Sequence, residues 1–144
     1  MKKLKLLLAC CVCTLALVGL AGCSKGKDTS KLVKGTKEEV ALSMANDFKN
    51  DDYTDFYEKY TFSTNLEDLA KSGRVKSILE PTFNTLGTIS GFEASFSSDS
   101  ANYTVVQIPT HFEMGDLNIA ITFDSEDRIY NISFMPYATS LEEE

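Results

Sequence analysis

The chain contains one histidine, His111, and this side chain is the one best suited to proton transfer near neutral pH. It lies two residues before Glu113, and in an extended strand residues at this spacing project from the same face. A carboxylate beside an imidazole can orient it as a general base. The alternative is a solvated histidine on a sheet surface, and the sequence assigns no catalytic residue.

Four cysteines could supply thiolates or metal ligands, but three of them lie in one apolar stretch near the start. Cys10-Cys11-Val12-Cys13 has the C-x-x-C spacing and falls within the apolar run Leu6–Leu20, after Lys2, Lys3 and Lys5. A basic start followed by a short apolar run is typical of a secretory signal peptide. We expect these cysteines to be removed with it, which leaves no disulfide and no cysteine-based metal site.

The run ends in Leu20-Ala21-Gly22-Cys23, which resembles a lipobox, the processing site of bacterial lipoproteins. The resemblance implies cleavage between Gly22 and Cys23 and a diacylglycerol thioether on Cys23. The alternatives are an ordinary signal peptide and a transmembrane anchor, but the run is shorter than the roughly 20 residues that a spanning helix needs. We therefore expect a lipid-anchored protein on the outer, extracytoplasmic face of the cell membrane.

An acidic turn offers the other possible chemistry. Asp124, Glu126 and Asp127 are close in sequence, and calcium prefers oxygen ligands of this kind. Their spacing fits no EF-hand loop, so a solvated hairpin turn is the alternative. The chain also lacks a Gly-x-Ser-x-Gly elbow and a glycine-rich phosphate loop. The sequence therefore predicts no metal site and no cofactor.

Acidic charge dominates the chain after the signal peptide. Residues 23–144 number 122 and carry 11 basic against 21 acidic side chains, a balance of −10. This length suits one domain with a single core. Proteins that bind nucleic acid carry a basic patch, so nucleic acid is not an expected partner.

A basic segment separates the lipobox from the body of the chain. Residues 24–37 hold five lysines and one aspartate, and the segment is either a strip attracted to anionic lipids or a plain spacer. We predict a signal peptide at 1–22, a lipidated cysteine and flexible linker at 23–35, one domain at 36–138 and an acidic tail at 139–144.

The first helices are predicted from caps and periodicity. Thr36 and Glu39 have the spacing of a capping box, and apolar residues at helical spacing follow, so we expect a helix over 37–49. A second short helix is predicted from four aromatic residues at i, i+3, i+4 and i+7: Tyr53, Phe56, Tyr57 and Tyr60. This aromatic stripe is either core or the lining of a ligand pocket.

Glycine and proline residues are expected to interrupt the next helical segment. Gly73 is expected to interrupt it, and apolar spacing resumes over Arg74–Leu86. Pro81 removes a backbone hydrogen bond, so we predict a kink or restart around Leu79-Glu80. Gly87 suits the end of this helix.

After this glycine the apolar residues alternate with a period of two, which is typical of strands. Residues 97–100 and 124–127 are expected to be turns, and Pro109 indicates an edge position or a bulge. Four strands are predicted: Ile89–Phe96, Tyr103–Met114, Leu117–Phe123 and a last strand with Tyr130, Ile132 and Phe134. Helices followed by strands predict an α+β fold, with the helices packed on one face of a curled antiparallel four-stranded sheet.

These elements resemble a known family. The features concerned are Asp51-Asp52-Tyr53, the Leu86-Gly87 hinge, the stretch Ile121–Tyr130 and the ending Met135-Pro136. They are similar to an uncharacterised domain of secreted bacterial proteins with the nuclear transport factor 2-like cone fold, found in lipoproteins of Gram-positive bacteria. The resemblance implies a fold and a location, and it implies no reaction.

A cone formed between helices and a curled sheet is a natural ligand pocket. We predict that its wall includes five aromatic residues: Tyr53, Phe56, Tyr57, Phe83 and Phe112. The leading hypothesis is an anchored module that binds a small ligand or a protein partner at the cell envelope. The alternatives are a structural protein of an envelope complex without a ligand, and a cone-fold enzyme that uses a buried carboxylate.

Overall fold

The computed structural model of the protein describes residues 29–141. The predicted signal peptide and the predicted lipid attachment site, Cys23, lie outside these residues. A short 3-10 helix at Thr29–Lys31 comes first. Four α-helices follow: α1 (Lys37–Lys49), α2 (Phe56–Lys59), α3 (Thr64–Lys71) and α4 (Val75–Leu86). Within the described residues, no helix has the length and apolar character needed to cross a bilayer.

Five strands complete the chain and form one antiparallel sheet. Strand β3 lies between β4 and an edge made of two short strands, because β1 pairs with its last residues and β2 with its first. Strand β5 forms the other edge. The strands are β1 (Ile89–Phe92), β2 (Phe96–Ser100), β3 (Tyr103–Phe112), β4 (Gly115–Phe123) and β5 (Ile129–Pro136). The α+β class is as predicted.

The core lies between the helices and one face of this sheet. Alternating residues of the central strands point into it, with Ile108 opposite Ile119 and Val106 opposite Ile121. From the helices, Met44 and Leu79 are buried against the same cluster. Alternation with a period of two therefore places one row of each strand in the core, as the sequence pattern requires.

The predicted capping box is present at the start of α1. The backbone N–H of Glu39 donates to the hydroxyl of Thr36 at 3.2 Å, and the N–H of Thr36 donates to the Glu39 carboxylate at 2.7 Å. These bonds satisfy two backbone donors that a helix start would otherwise leave without partners. The helix bounds 37–49 are confirmed.

Thr36→Ala should lower the free energy of unfolding by about 1 kcal/mol, because the N-cap acceptor is lost. Urea unfolding followed by circular dichroism measures this change. Thr36→Ser keeps the hydroxyl and should stay close to the wild type. Equal stability of the two variants would contradict this assignment of the cap.

The prediction of four strands is wrong, because residues 97–100 form a strand and not a turn. They belong to β2 and pair with the start of β3, and the turn follows at Ala101, which has a φ of 51°. Backbone pairing tolerates polar side chains at a sheet edge, where Ser97 donates to Glu38 of α1 at 3.0 Å. The single first strand predicted over 89–96 is accordingly divided between β1 and β2.

Pro109 of β3 lies beside the interruption between β1 and β2. Its carbonyl accepts a hydrogen bond from the N–H of Glu93 at 2.9 Å, just beyond the end of β1. In an antiparallel strand, the backbone nitrogen and carbonyl of one residue point toward the same neighbouring strand. The nitrogen of Pro109, which carries no hydrogen, therefore points toward the interruption between β1 and β2. The strand is central, and its register with β4 is regular through Pro109, so the predicted edge position or bulge is wrong.

Two helix predictions need correction. The aromatic helix is a single turn, α2, and Tyr53 precedes it, because Asp55 adopts a left-handed φ of 54° and starts the helix there. Helix α4 runs without a restart through Pro81. The proline and Ser77, whose carbonyl would have accepted its hydrogen bond, are both exposed, so water can take the place of that bond. The breaks predicted at Gly73 and Gly87 are confirmed.

The segment before α1 contacts the body of the protein. The N–H of Val33 donates to the carbonyl of Lys59 at 2.8 Å, and its side chain packs against the core. The last residues of the predicted linker are therefore attached to the domain that follows it.

Candidate functional site

A pocket of about 300 Å³ opens where α1, α4 and the start of β1 meet. Its lining combines aromatic, aliphatic and charged side chains from four segments of the chain. Two other depressions, one beside Leu86 and Leu117 and one beside Tyr103 and Tyr130, are more open to solvent. A less open pocket buries more of a small ligand, so we take the first as the candidate site. It is lined by Phe48, Lys49, Asp51, Tyr53, Lys76, Glu80, Phe83, Asn84, Thr88 and Ile89.

The floor of the pocket is apolar. Phe48, near the end of α1, and Ile89, at the start of β1, are both buried in the core. Phe83 of α4 is half-buried and packs against Phe112, with ring centroids 5.9 Å apart. Phe48 and Ile89 belong to the core cluster and Phe83 packs against it, so core packing positions the floor.

Tyr53 forms one wall and lies in the loop between α1 and α2. Its ring stacks on Phe48 at 6.1 Å between centroids and also contacts Phe56 at 5.8 Å. Burial, together with the negative charges of Asp51 and Asp47, raises the pKa of Tyr53 to about 12. The hydroxyl therefore stays protonated at neutral pH and can act as a hydrogen-bond donor.

Charged side chains surround the mouth of the pocket. The ammonium of Lys76 lies 2.8 Å from one oxygen of Asp51 and 3.0 Å from the other, and it also sits 5.7 Å from the centre of the Tyr53 ring. Both members of this ion pair are exposed, and exposed pairs of this kind contribute at most about 1 kcal/mol.

The predicted wall residues do not lie together. Tyr53 and Phe83 both line the pocket. Phe56 and Phe112 are buried core residues, although Phe112 supports Phe83 from behind. Tyr57 lies elsewhere: its hydroxyl donates to Glu67 at 2.9 Å and its ring is nearly parallel to that of Phe62.

The sequence prediction missed the polar residues of the site. Lys76, Glu80 and Phe83 are spaced i, i+4 and i+7 on α4, which places them on one face of this helix. That spacing was the available signal, but a charged helix face is usually solvent-exposed. No local sequence pattern indicated that Lys49 lines the pocket, because its place there depends on α4 lying beside the end of α1.

His111 belongs to a separate cluster on the opposite face of the sheet. Its Nδ1 lies 2.9 Å from Asp116, and its Nε2 is 3.7 Å from Glu93. The hydroxyl of Tyr137 donates to the same Glu93 carboxylate, and this bond, with burial, raises the pKa of Tyr137 to about 12. The predicted partner Glu113 instead accepts a bond from Thr88. All members of the cluster are partly exposed, and none lines the pocket.

Asp124, the first carboxylate of the acidic turn, is buried. Asp124 accepts bonds from the N–H groups of Glu126 and Arg128, and from Nε of Arg128 at 2.8 Å. Burial alone would raise the pKa of Asp124, but these hydrogen bonds and the charge of Arg128 lower it overall. Among the described residues, no group of three histidine, cysteine or acidic side chains is arranged to hold a metal ion.

The pocket thus brings together an apolar floor, a protonated phenol and charges of both signs. Sites for small molecules have this combination of a mostly apolar lining and a few polar groups that fix orientation. Comparisons of the chain with protein-family models, with curated proteins and with solved structures find no match. The chemistry of the pocket must therefore be inferred from its own side chains.

Proposed function

We propose that this protein is a lipoprotein anchored on the outer, extracytoplasmic face of the cell membrane, and that its domain binds a small ligand in the pocket between α1, α4 and β1. The location depends on the lipobox-like sequence that ends in Cys23. The binding role depends on one observation, the pocket of about 300 Å³ with an apolar floor and polar rim. Its size is at the lower end of the ~300–1,000 Å³ that ligand sites occupy, so the ligand should be small.

We further infer that the domain is a cone of the nuclear transport factor 2-like type. Helices that precede an antiparallel sheet and pack on one of its faces support this assignment. The pocket lies where the helices meet the first strand, between the two layers. Fold similarity carries no reaction with it, so the function rests on the pocket alone.

The test fills the pocket with a larger side chain. Asn84 is exposed at the rim, so Asn84→Trp should occupy the site without changing the core. Fluorobenzene, followed by fluorine NMR, should bind the wild-type protein saturably. The variant should lose this binding, because the indole takes up the space above the floor.

Ile78→Trp is the matched control, since Ile78 is an exposed residue of α4 outside the pocket lining. It should bind fluorobenzene as the wild type does. Failure of the wild type to bind the probe, or binding that Asn84→Trp leaves unchanged, would contradict the proposal and favour a role in protein interaction.

A further inference from the structure

The charges around the pocket are unevenly paired. Residues 38–144 carry only six basic side chains, and two of them, Lys49 and Lys76, line this one pocket. Lys76 is engaged by Asp51. Within the part of the chain that the structure describes, neither Lys49 nor Glu80 has an oppositely charged group within 4 Å. One cation and one anion of the lining therefore stand outside the ion pairs of the described residues.

The contacts that these two side chains do make are weak. The ammonium of Lys49 lies 5.9 Å from the centre of the Phe92 ring, which is a cation–π distance and leaves its three N–H donors available. Glu80 lies one helical turn after Lys76 on α4, but the ammonium of Lys76 is held by Asp51 at 2.8 Å. Charge-assisted hydrogen bonds are the strong ones, so each group offers a favourable contact to a ligand of opposite charge.

The apolar floor and the volume of the pocket indicate the apolar part and the size of the ligand. Phe48, Phe83 and Ile89 contribute aromatic and aliphatic surface to the lining of the same pocket. A cavity of about 300 Å³ holds a molecule of few heavy atoms. The ligand must then combine an apolar side group with a positive and a negative end in a small frame.

From this geometry, and on the basis of the proposed binding function, we propose that the pocket binds a small zwitterion with an apolar body, the size of one hydrophobic amino acid. Its carboxylate would contact Lys49, its ammonium would contact Glu80, and its side group would lie on the aromatic floor. The ion pair of Lys76 and Asp51 would close one side of the mouth.

The experiment measures binding to the full-length protein, purified in detergent, by isothermal titration calorimetry. The probes are L-phenylalanine, phenethylamine, which lacks the carboxylate, and hydrocinnamate, which lacks the ammonium. L-phenylalanine should bind about tenfold more tightly than either analogue, since each lost charge removes one charge-assisted contact. Lys49→Met should abolish the preference over phenethylamine, and Glu80→Gln the preference over hydrocinnamate.

Lys71→Met and Asp68→Asn are the matched controls, because both residues are exposed on α3 and lie outside the pocket. They should retain both preferences. Hydrocinnamate binding as tightly as L-phenylalanine would overturn the zwitterion and indicate an anion site. If no charged probe binds but fluorobenzene does, the zwitterion is wrong and the pocket function stands; if fluorobenzene also fails, the pocket function is wrong.

Discussion

Asp47→Ala should lower the free energy of unfolding by about 3 kcal/mol, because removal of one partner leaves a largely buried charge without its counterion. Asp47 lies on α1 and is only 8% exposed. Lys59 of α2 donates to both carboxylate oxygens at 2.7 Å, so one side chain holds the two helices together. Urea unfolding followed by circular dichroism measures this loss of stability.

The same carboxylate also holds a buried phenol. The hydroxyl of Tyr60 donates to Asp47 at 2.6 Å and lies 3.1 Å from the hydroxyl of Ser43. Burial and the bond to Asp47 raise the pKa of Tyr60, which keeps its proton in place. The variant therefore removes an acceptor from two donors at once, and each loss adds to the cost.

Asp55→Asn is the matched control for a surface pair, since asparagine removes the charge and still tolerates the left-handed φ of 54°. Asp55 lies 3.1 Å from Lys31, and both side chains are more than two-fifths exposed. Water replaces such a pair easily, so its loss should change stability by no more than about 1 kcal/mol. If Asp47→Ala unfolds at the same urea concentration as Asp55→Asn, the buried network does not stabilise the fold.

Cys23→Ala should have the largest effect on location, since it removes the proposed site of lipid attachment. Each buried methylene contributes about 0.8 kcal/mol, and two or more acyl chains hold a protein firmly in a bilayer. The wild-type protein should fractionate with membranes and carry the added mass of acyl chains on its first mature residue. The variant should lack that mass and appear outside the membrane fraction.

Cys13→Ala changes a cysteine within the predicted signal peptide and should leave both results unaltered. Mass spectrometry that finds an unmodified thiol on Cys23 of the wild type would contradict the lipid anchor. Membrane association that persists in Cys23→Ala would contradict it as well. Neither result would bear on the pocket, whose residues belong to the domain.

Local signals in the sequence predicted the helix ends well. The capping box at Thr36 and Glu39 involves residues three apart, so no distant contact is needed to form it. Gly73 and Gly87 have φ angles of 72° and 80°, which glycine adopts without strain, and the helices end beside them. The strict alternation in β4 likewise depends only on strand geometry.

Elements that depend on distant partners were predicted less well. Strand β2 contains serine and aspartate, and its strand character comes from backbone pairing with β3. Tyr53 was placed in a helix by its spacing, but Asp55 takes a left-handed conformation before α2. In both places a tertiary contact or a local backbone angle outweighed the pattern of side chains.

The sequence by itself determined the α+β class, the acidic charge and two of the residues that line the pocket, Tyr53 and Phe83. Only the tertiary structure decided that Lys49 and Glu80 lie at the mouth of the same pocket, because they belong to α1 and α4 and are 31 positions apart in the chain. Spacing within one helix can show which residues share a face. It cannot show which face of another helix lies opposite, since that depends on how the core packs.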